Sequence, residues 1–409
     1  MTNDRLARGP ACALVAASAI LVCILLVVLI PWGQGPIDDV SAGEVFTAAQ
    51  IDRAESYSGA VRLLGRASLV VSLLVAGLLG FTPLGARLVA RLPRRFRLPL
   101  AVLAVLLIGR LATLPFSLLI REQRLDNGLT RQAFGGWVRD VATSFGVSWV
   151  AMTLLVGLVV ILARRAPRTW FLWAGVAVSG LTFIVSFAYP LVVEPLFNKF
   201  SSMPDGQLRQ SILQLADEEG VAVDDVLVAD ASRRTTTLNA YVSGFGDSRR
   251  VVVYDNLVED LPADQVLIVV AHELAHAKHD DVLTGTAIGA AGALFGVCLL
   301  ALLLDLPSLR RRAAVDGPGD ARAVPLVLAL IAFGSVLASP VQNSASRAVE
   351  ARADRDSLAV TGEPQVFEDM QIQLSLRSLS DPTPPGWSQF WFGSHPTSLQ
   401  RIGMARAME

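Results

Sequence analysis

The sequence predicts an all-α polytopic membrane protein that carries a small α+β polar region built around a zincin-like helix, and three observations predict it. Of 409 residues 53% are hydrophobic, and the mean hydropathy is +0.50, well above that of an ordinary soluble domain. Seven apolar runs are long enough to cross a bilayer, at 12–30, 67–89, 98–120, 141–163, 170–193, 282–304 and 323–338. Two of only four histidines stand in one five-residue pattern, His272-Glu273-Leu274-Ala275-His276.

Taken in order, the first run follows Arg5 and Arg8 as a signal peptide would, but Ile30-Pro31-Trp32-Gly33-Gln34 offers no small-x-small cleavage site, so an uncleaved anchor is expected. Four further runs complete an N-terminal transmembrane region, 1–193. In the third of the seven runs Arg110 interrupts the apolar sequence; an unpaired charge there would cost at least roughly 2.5 kcal/mol, so it should face protein or water. The polar segment 194–281 follows, with a helix near 206–219 and β-type segments at Val221-Ala222-Val223 and Val226 to Asp230. Thr237 to Val242, a Gly244-Phe245-Gly246-Asp247 turn and Arg250 to Tyr254 read as a hairpin. Two more runs occupy 282–342, where Gly285-x-x-x-Gly289 and Gly292-x-x-x-Gly296 predict close helix packing. The C-terminal region is 343–409.

The His-Glu-x-x-His pattern sits in the apolar run Val266 to Ala271, with Pro262 at the expected helix start and Asp264 in the first turn. Positions i and i+4 lie on one helix face, so both imidazoles can meet one Zn²⁺ while Glu273 reaches a water beside it. Polar residues on a solvated face would give the same pattern by chance, but in a buried helix such groups are costly unless a metal and its water satisfy them. The expectation is a zinc hydrolase, with one Zn²⁺ per chain.

A hydrolytic zinc takes three protein ligands and keeps a position for water. Two candidates compete for the third place. His279 lies three residues past His276, beyond the turn that holds the metal. Glu350 lies in helix-forming sequence two apolar runs later, and an even number of crossings returns the chain to the starting side. Glu350 is expected to be the ligand. Asp354, one turn on, is placed either to accept the distal N–H of a liganding histidine or to pair with Arg347 or Arg352. Peptidases that hold extended peptides use an exposed strand edge, which the hairpin can supply. Asn239 is of the right type to bind a substrate backbone there, or to satisfy its own turn.

Six ordered blocks then carry a resemblance: Pro195 to Phe200; Asp230 to Arg234 with Asn239-Ala240-Tyr241; Ser248 to Asp255; His272 to His276; Glu350 to Asp354; and His395-Pro396. Together they resemble the integral-membrane CAAX prenyl protease 1 family of zinc metallopeptidases. The resemblance implies a gluzincin-type site in a ring of transmembrane helices that encloses a chamber. It implies that His272, His276 and Glu350 hold the zinc and that Glu273 is the general base. Asn239 and Ala240 match that family's substrate-binding strand, and His395 its C-terminal histidine, expected to hydrogen-bond the developing oxyanion. The implied substrate is a membrane-associated or prenylated, CAAX-type peptide. A quality-control peptidase with unmodified substrates is the alternative within the class; a catalytically silent scaffold or a transporter is the alternative outside it.

Net charge of −1 without a basic cluster outside short loops argues against a nucleic-acid partner, leaving a peptide or protein, lipidated or not, and the bilayer. Cys12, Cys23 and Cys298 lie far apart in apolar runs and suggest no disulfide framework. Arginines at 87–97, 164–168 and 310–312 fall on one side of the predicted topology with Arg5 and Arg8, and the positive-inside rule puts that side in the cytoplasm and the zinc site outside. The resemblance implies a zinc site open to the cytosol of a cell membrane, and the expectation follows it.

Overall fold

The computed structural model describes residues 6–33, 35–244 and 246–408; Arg5, Gln34 and the turn residue Phe245 fall outside them. Helices dominate. Five long ones open the chain, α1 (Arg8–Leu29), α2 (Ala48–Gly80), α3 (Arg97–Asp126), α4 (Phe134–Arg165) and α5 (Trp170–Val192). A polar layer follows with β1 (Phe200–Ser202), α6 (Gln207–Glu218), β2 (Asp225–Ala229), β3 (Ala240–Ser243), β4 (Arg250–Tyr254) and α7 (Ala263–Lys278). The chain then forms α8 (Asp281–Leu304), α9 (Val324–Thr361), α10 (Pro364–Ser378), α11 (Gly386–Phe392) and α12 (Ser398–Arg406).

Among the described residues seven helices are long and apolar enough to cross a membrane, with window hydropathies from 2.0 to 3.1. Their outward faces present bare aliphatic side chains: Leu74, Leu154 and Leu337 are 66%, 66% and 71% exposed. Such surface is stable only against lipid. The inward faces pack α8 along α5 and α1, and α2 along α3 and α9. Gly175 on α5 lets α8 approach so closely that a Cβ there would lie 2.5 Å from Leu294 Cδ1. The packing expected of the two Gly-x-x-x-Gly pairs is thereby corrected: Gly292 and Gly296 face open space, and of the four only Gly289 meets a neighbour, with Thr182 Cγ2 3.7 Å from its would-be Cβ.

The polar layer is a four-stranded mixed sheet in the order β1-β2-β4-β3. The expected hairpin is there, β3 antiparallel to β4 from Ala240↔Val253 to Ser243↔Arg250, but it starts at Ala240, so Thr237 to Asn239 lead in as coil. Gly244 makes the turn at φ +95°, where a side chain would strike the Ser248 carbonyl. Val221 to Val223 do not form a strand. Gly220 takes a left-handed φ of +69° and the Val221 N–H bonds the Ala216 carbonyl at 2.8 Å, so this segment caps α6 instead, with Val221 buried. A core of Val226, Val251, Val253, Ile268, Leu274 and Phe367 holds sheet, α7 and α10 together.

Candidate metal centre

Helix α7 is buried along most of its length because Val266, Ile268, Val269, Val270, Ala271, Leu274 and Ala275 face the sheet and α9. The Ser357 hydroxyl of α9 donates to the Ile268 carbonyl at 3.0 Å, in a fully buried contact that pins the register of the two helices. With that register set, Glu350 on α9 stands over His272 and His276 on α7.

The three side chains converge. His272 Nε2 lies 3.2 Å from Glu350 Oε2 and 3.2 Å from His276 Nε2, and His276 Nε2 lies 3.7 Å from Glu350 Oε1. A tetrahedral ion with bonds of about 2.0–2.1 Å separates its ligands by about 3.3 Å. The donor set therefore fits a tetrahedral divalent metal in type and in size, and all three residues could hold one.

Each imidazole is aimed from behind by a carboxylate. His272 Nδ1 donates to Asp354 at 2.9 Å, and His276 Nδ1 donates to Asp281 at 2.9 Å. Both bonds leave Nε2 facing the centre, the orientation that metal-bound histidines take from such partners. Each carboxylate is in turn held by an arginine: Arg401 of α12 grips Asp354 through Nε at 2.8 Å and through Nη2, while Arg352 of α9 bonds Asp281. Asp354 thus contacts His272 and Arg401, and its ion pairs are with these rather than with Arg347 or Arg352. His279 turns away to Asp356, 2.5 Å from Nε2.

The electrostatics call for positive charge at the centre. Burial by itself lowers the basicity of His272, yet the Asp354 carboxylate, seconded by Glu350, carries its pKa up to about 10. A divalent cation held there would take the place of that proton. Glu273, between the two histidines in sequence, has its carboxyl raised above the ordinary range, chiefly by burial. His395 reaches the same centre, Nε2 3.4 Å from Glu350 Oε2. It opens to the cleft with 57% of its side chain accessible, yet the surrounding protein lowers its pKa, which keeps the ring neutral near pH 7. Ala240 is buried at the start of the edge strand β3, beside α7, and Asn239 next to it is exposed. The Asn239 carbonyl accepts from the Tyr254 N–H at 3.0 Å, which fixes the strand entrance.

With this geometry in view, comparison with known proteins decides the family. The family model Peptidase family M48 matches residues 202–409, and the model CAAX prenyl protease N-terminal, five membrane helices, matches residues 40–199. The chain belongs to peptidase family M48. This M48 chain is an integral membrane metallopeptidase, similar to an uncharacterized metalloprotease of Bacillus subtilis, with 30% identity over 78% of this chain and 76% of that one. It is also similar to a CAAX prenyl protease 1 homolog of Oryza sativa subsp. japonica, with 28% identity over 74% and 72%. Its fold matches the crystal structure of S. mikatae Ste24p at a TM-score of 0.80 and 19% identity, over 97% of this chain and 98% of that one.

Three residues of the M48 site escaped the sequence reading. Asp281 is five residues past His276, outside the helix, and reaches back only because Asp280 adopts a left-handed φ of +50° between α7 and α8. Its spacing was a usable signal. Arg352 and Arg401 had none, since each acts through a carboxylate rather than on the centre itself.

Proposed function

We propose that His272, His276 and Glu350 hold one Zn²⁺ and that the chain cleaves peptide bonds of membrane-associated proteins, CAAX-type prenylated peptides among them. The observation that carries the reading is the convergence of three donor atoms at tetrahedral spacing, each histidine backed by a carboxylate. The similarity to the CAAX prenyl protease 1 homolog of Oryza sativa supports the substrate class. Zinc at this centre supplies Lewis acidity for the scissile carbonyl and lowers the pKa of a bound water toward about 7.

The remaining steps belong to the chain. Glu273 takes the proton of the attacking water and delivers it to the leaving amine; its raised pKa brings it closer to the range where one carboxyl can do both. His395 Nδ1 lies 2.9 Å from the Ser394 hydroxyl; in the tautomer where that hydroxyl donates to Nδ1, Nε2 carries the proton and donates it in a hydrogen bond to the developing oxyanion. The outer edge of β3, from Asn239 and Ala240 onward, pairs with the extended substrate backbone. The cytosolic side of a cell membrane suits that substrate class, because it is where lipidated C-terminal peptides would approach.

The test separates chemistry from metal binding. Glu273→Gln is expected to retain zinc by elemental analysis and to lose about 10²–10⁴-fold in kcat, whereas Glu350→Ala loses metal and activity together. Wild-type turnover by the Gln variant removes the proposed base, and zinc retained at wild-type affinity in Glu350→Ala removes the proposed ligand. A farnesylated and an unmodified peptide, each assayed with and without a chelator, distinguish the substrate readings.

A further inference from the structure

A cavity of about 710 Å³ lies among α2, α3, α4 and α9, with Phe197 and Arg234 of the polar segment also in its lining. Its walls carry hydroxyls, including Ser144 and Ser148, and three charges, Arg110, Asp140 and Arg234. Two of the charges offset each other. Asp140 accepts from Gln132 Nε2 at 2.7 Å and stands 3.8 Å from Arg234 Nη1, while Arg234 also donates to Asn198 Oδ1 at 2.5 Å. Arg110 is different. Its hydrogen bond is to the Ser117 hydroxyl, 3.2 Å from Nη1, and among the described residues no carboxylate lies within ion-pair distance of it. A guanidinium offers five N–H donors in a planar fork suited to a carboxylate, and a lone cation inside a membrane span is a marker of binding rather than of packing.

The position of that cation limits its ligand. Arg110 extends toward Ser117, nine residues short of the end of α3 at Asp126, so the guanidinium lies about 14 Å below the polar layer at 1.5 Å per residue. There the chain after α3 joins the segment that leads into β3, with Thr130 Oγ1 bonded to the Arg234 carbonyl at 2.7 Å and Thr236 Oγ1 to the Gly128 carbonyl at 3.2 Å. An extended peptide advances about 3.3 Å per residue, so four or five residues beyond β3 span the distance. A chain entering such a cavity end first presents its terminus, and the uncompensated positive charge selects a terminus that is anionic. Trp137 in the same wall gives apolar side chains of that peptide a surface.

We propose that Arg110 binds the C-terminal carboxylate of a peptide substrate inside this cavity. The inference rests on the peptidase reading above and names a subsite for it. It is tested by binding to the full-length Glu273→Gln protein in detergent, which reads affinity without turnover, using fluorescent peptides that differ only in ending as free acid or as amide. Cleavage by the wild-type chain, with and without chelator, is measured in parallel, so failure of the peptidase reading shows there and failure of the subsite shows in binding.

The acid is expected to bind about tenfold more tightly than the amide. Arg110→Gln brings that ratio to about one, and Arg110→Lys, which keeps the charge but loses the fork, leaves it between. A ratio unchanged by either variant overturns the proposal, as does an equal loss of both peptides in Arg110→Lys. Phosphatidylglycerol, compared with phosphatidylcholine in the same assay, covers the other source of an anion. Displacement of a label by phosphatidylglycerol where acid and amide bind alike assigns the cavity to a lipid headgroup and also overturns it.

Discussion

Replacing Asp281 separates the geometry of the proposed metal centre from its proposed ligands, because Asp281 touches His276 Nδ1 and not one of the three converging donor atoms. Its carboxylate accepts from His276 Nδ1 at 2.9 Å, is bonded by Arg352, and has only 11% of its side chain accessible. Asp281→Asn keeps an oxygen for the His276 N–H and loses the negative charge behind the ring. Asp281→Ala loses both and leaves Arg352, whose Nε is already without a partner, with no counterion on that side. Outer carboxylates of this kind set metal affinity by 10–100-fold, so about tenfold is expected for Asn and about 100-fold for Ala, or about 1.4 and 2.7 kcal/mol. Competition for zinc with a chromophoric chelator measures the affinity directly, and a thermal melt of the same sample reports folding. Wild-type zinc affinity in a folded Asp281→Ala protein refutes the reasoning, since His276 would then need no orienting group.

Asp354→Ala should cost more in stability than in affinity alone, because it leaves the Arg401 guanidinium, with 14% of its side chain accessible, buried beside His272; about 3–5 kcal/mol is expected in a chemical melt. His395→Ala should lower kcat about 10²-fold while zinc affinity measured by chelator competition stays at wild type, which places the side chain on the reaction and not on the metal. Burial raises the Glu273 pKa, so its basic form is lost as pH falls through a value above the ordinary carboxylate range; the acid limb of kcat/KM is expected to lie above pH 4.5 and to be checked by a pH-rate profile.

Much of this site was legible because its chemistry is concentrated in rare residues. Two of four histidines in one apolar helix are costly without an ion, and His279, beyond the turn of the pair, gives way to Glu350 in its helix-forming sequence, a choice with which the parity of crossings is consistent. The spans were equally plain, since hydropathy is a property of single segments. What stayed hidden depends on contacts between segments or on single backbone angles. Asp281 returns to His276 through the left-handed Asp280, and Arg401 meets Asp354 only when α12 packs on α9. Val221 misled for a related reason: its β-type neighbours suggest a strand, but the preceding Gly220 turns the chain to cap α6. Arg110 was marked as a charge needing protein or water, and only the folded chain set it in a cavity wall with no counterion.

The placement of Asp281 and Glu350 also explains how residues so distant in sequence come together at the proposed centre. Asp281 is the first residue of α8, and Glu350 lies two-thirds of the way along the 38-residue α9, the helix that begins as a membrane span. Helix α9 continues from lipid-facing Leu337 to Glu350, with Pro340 removing one N–H from its hydrogen-bond ladder, so a single helix ties the position of the carboxylate to the membrane span. Helix α7 contributes the two histidines but cannot position Glu350 by itself; Ser357 ties α9 to α7, and the Arg352–Asp281 pair ties α9 to the start of α8. A polar layer cut free of α8 and α9 would keep the His-Glu-x-x-His helix and lose Glu350 together with both carboxylates that aim the histidines, Asp281 and Asp354. The membrane helices therefore do more than anchor the peptidase: two of them supply part of the proposed metal centre.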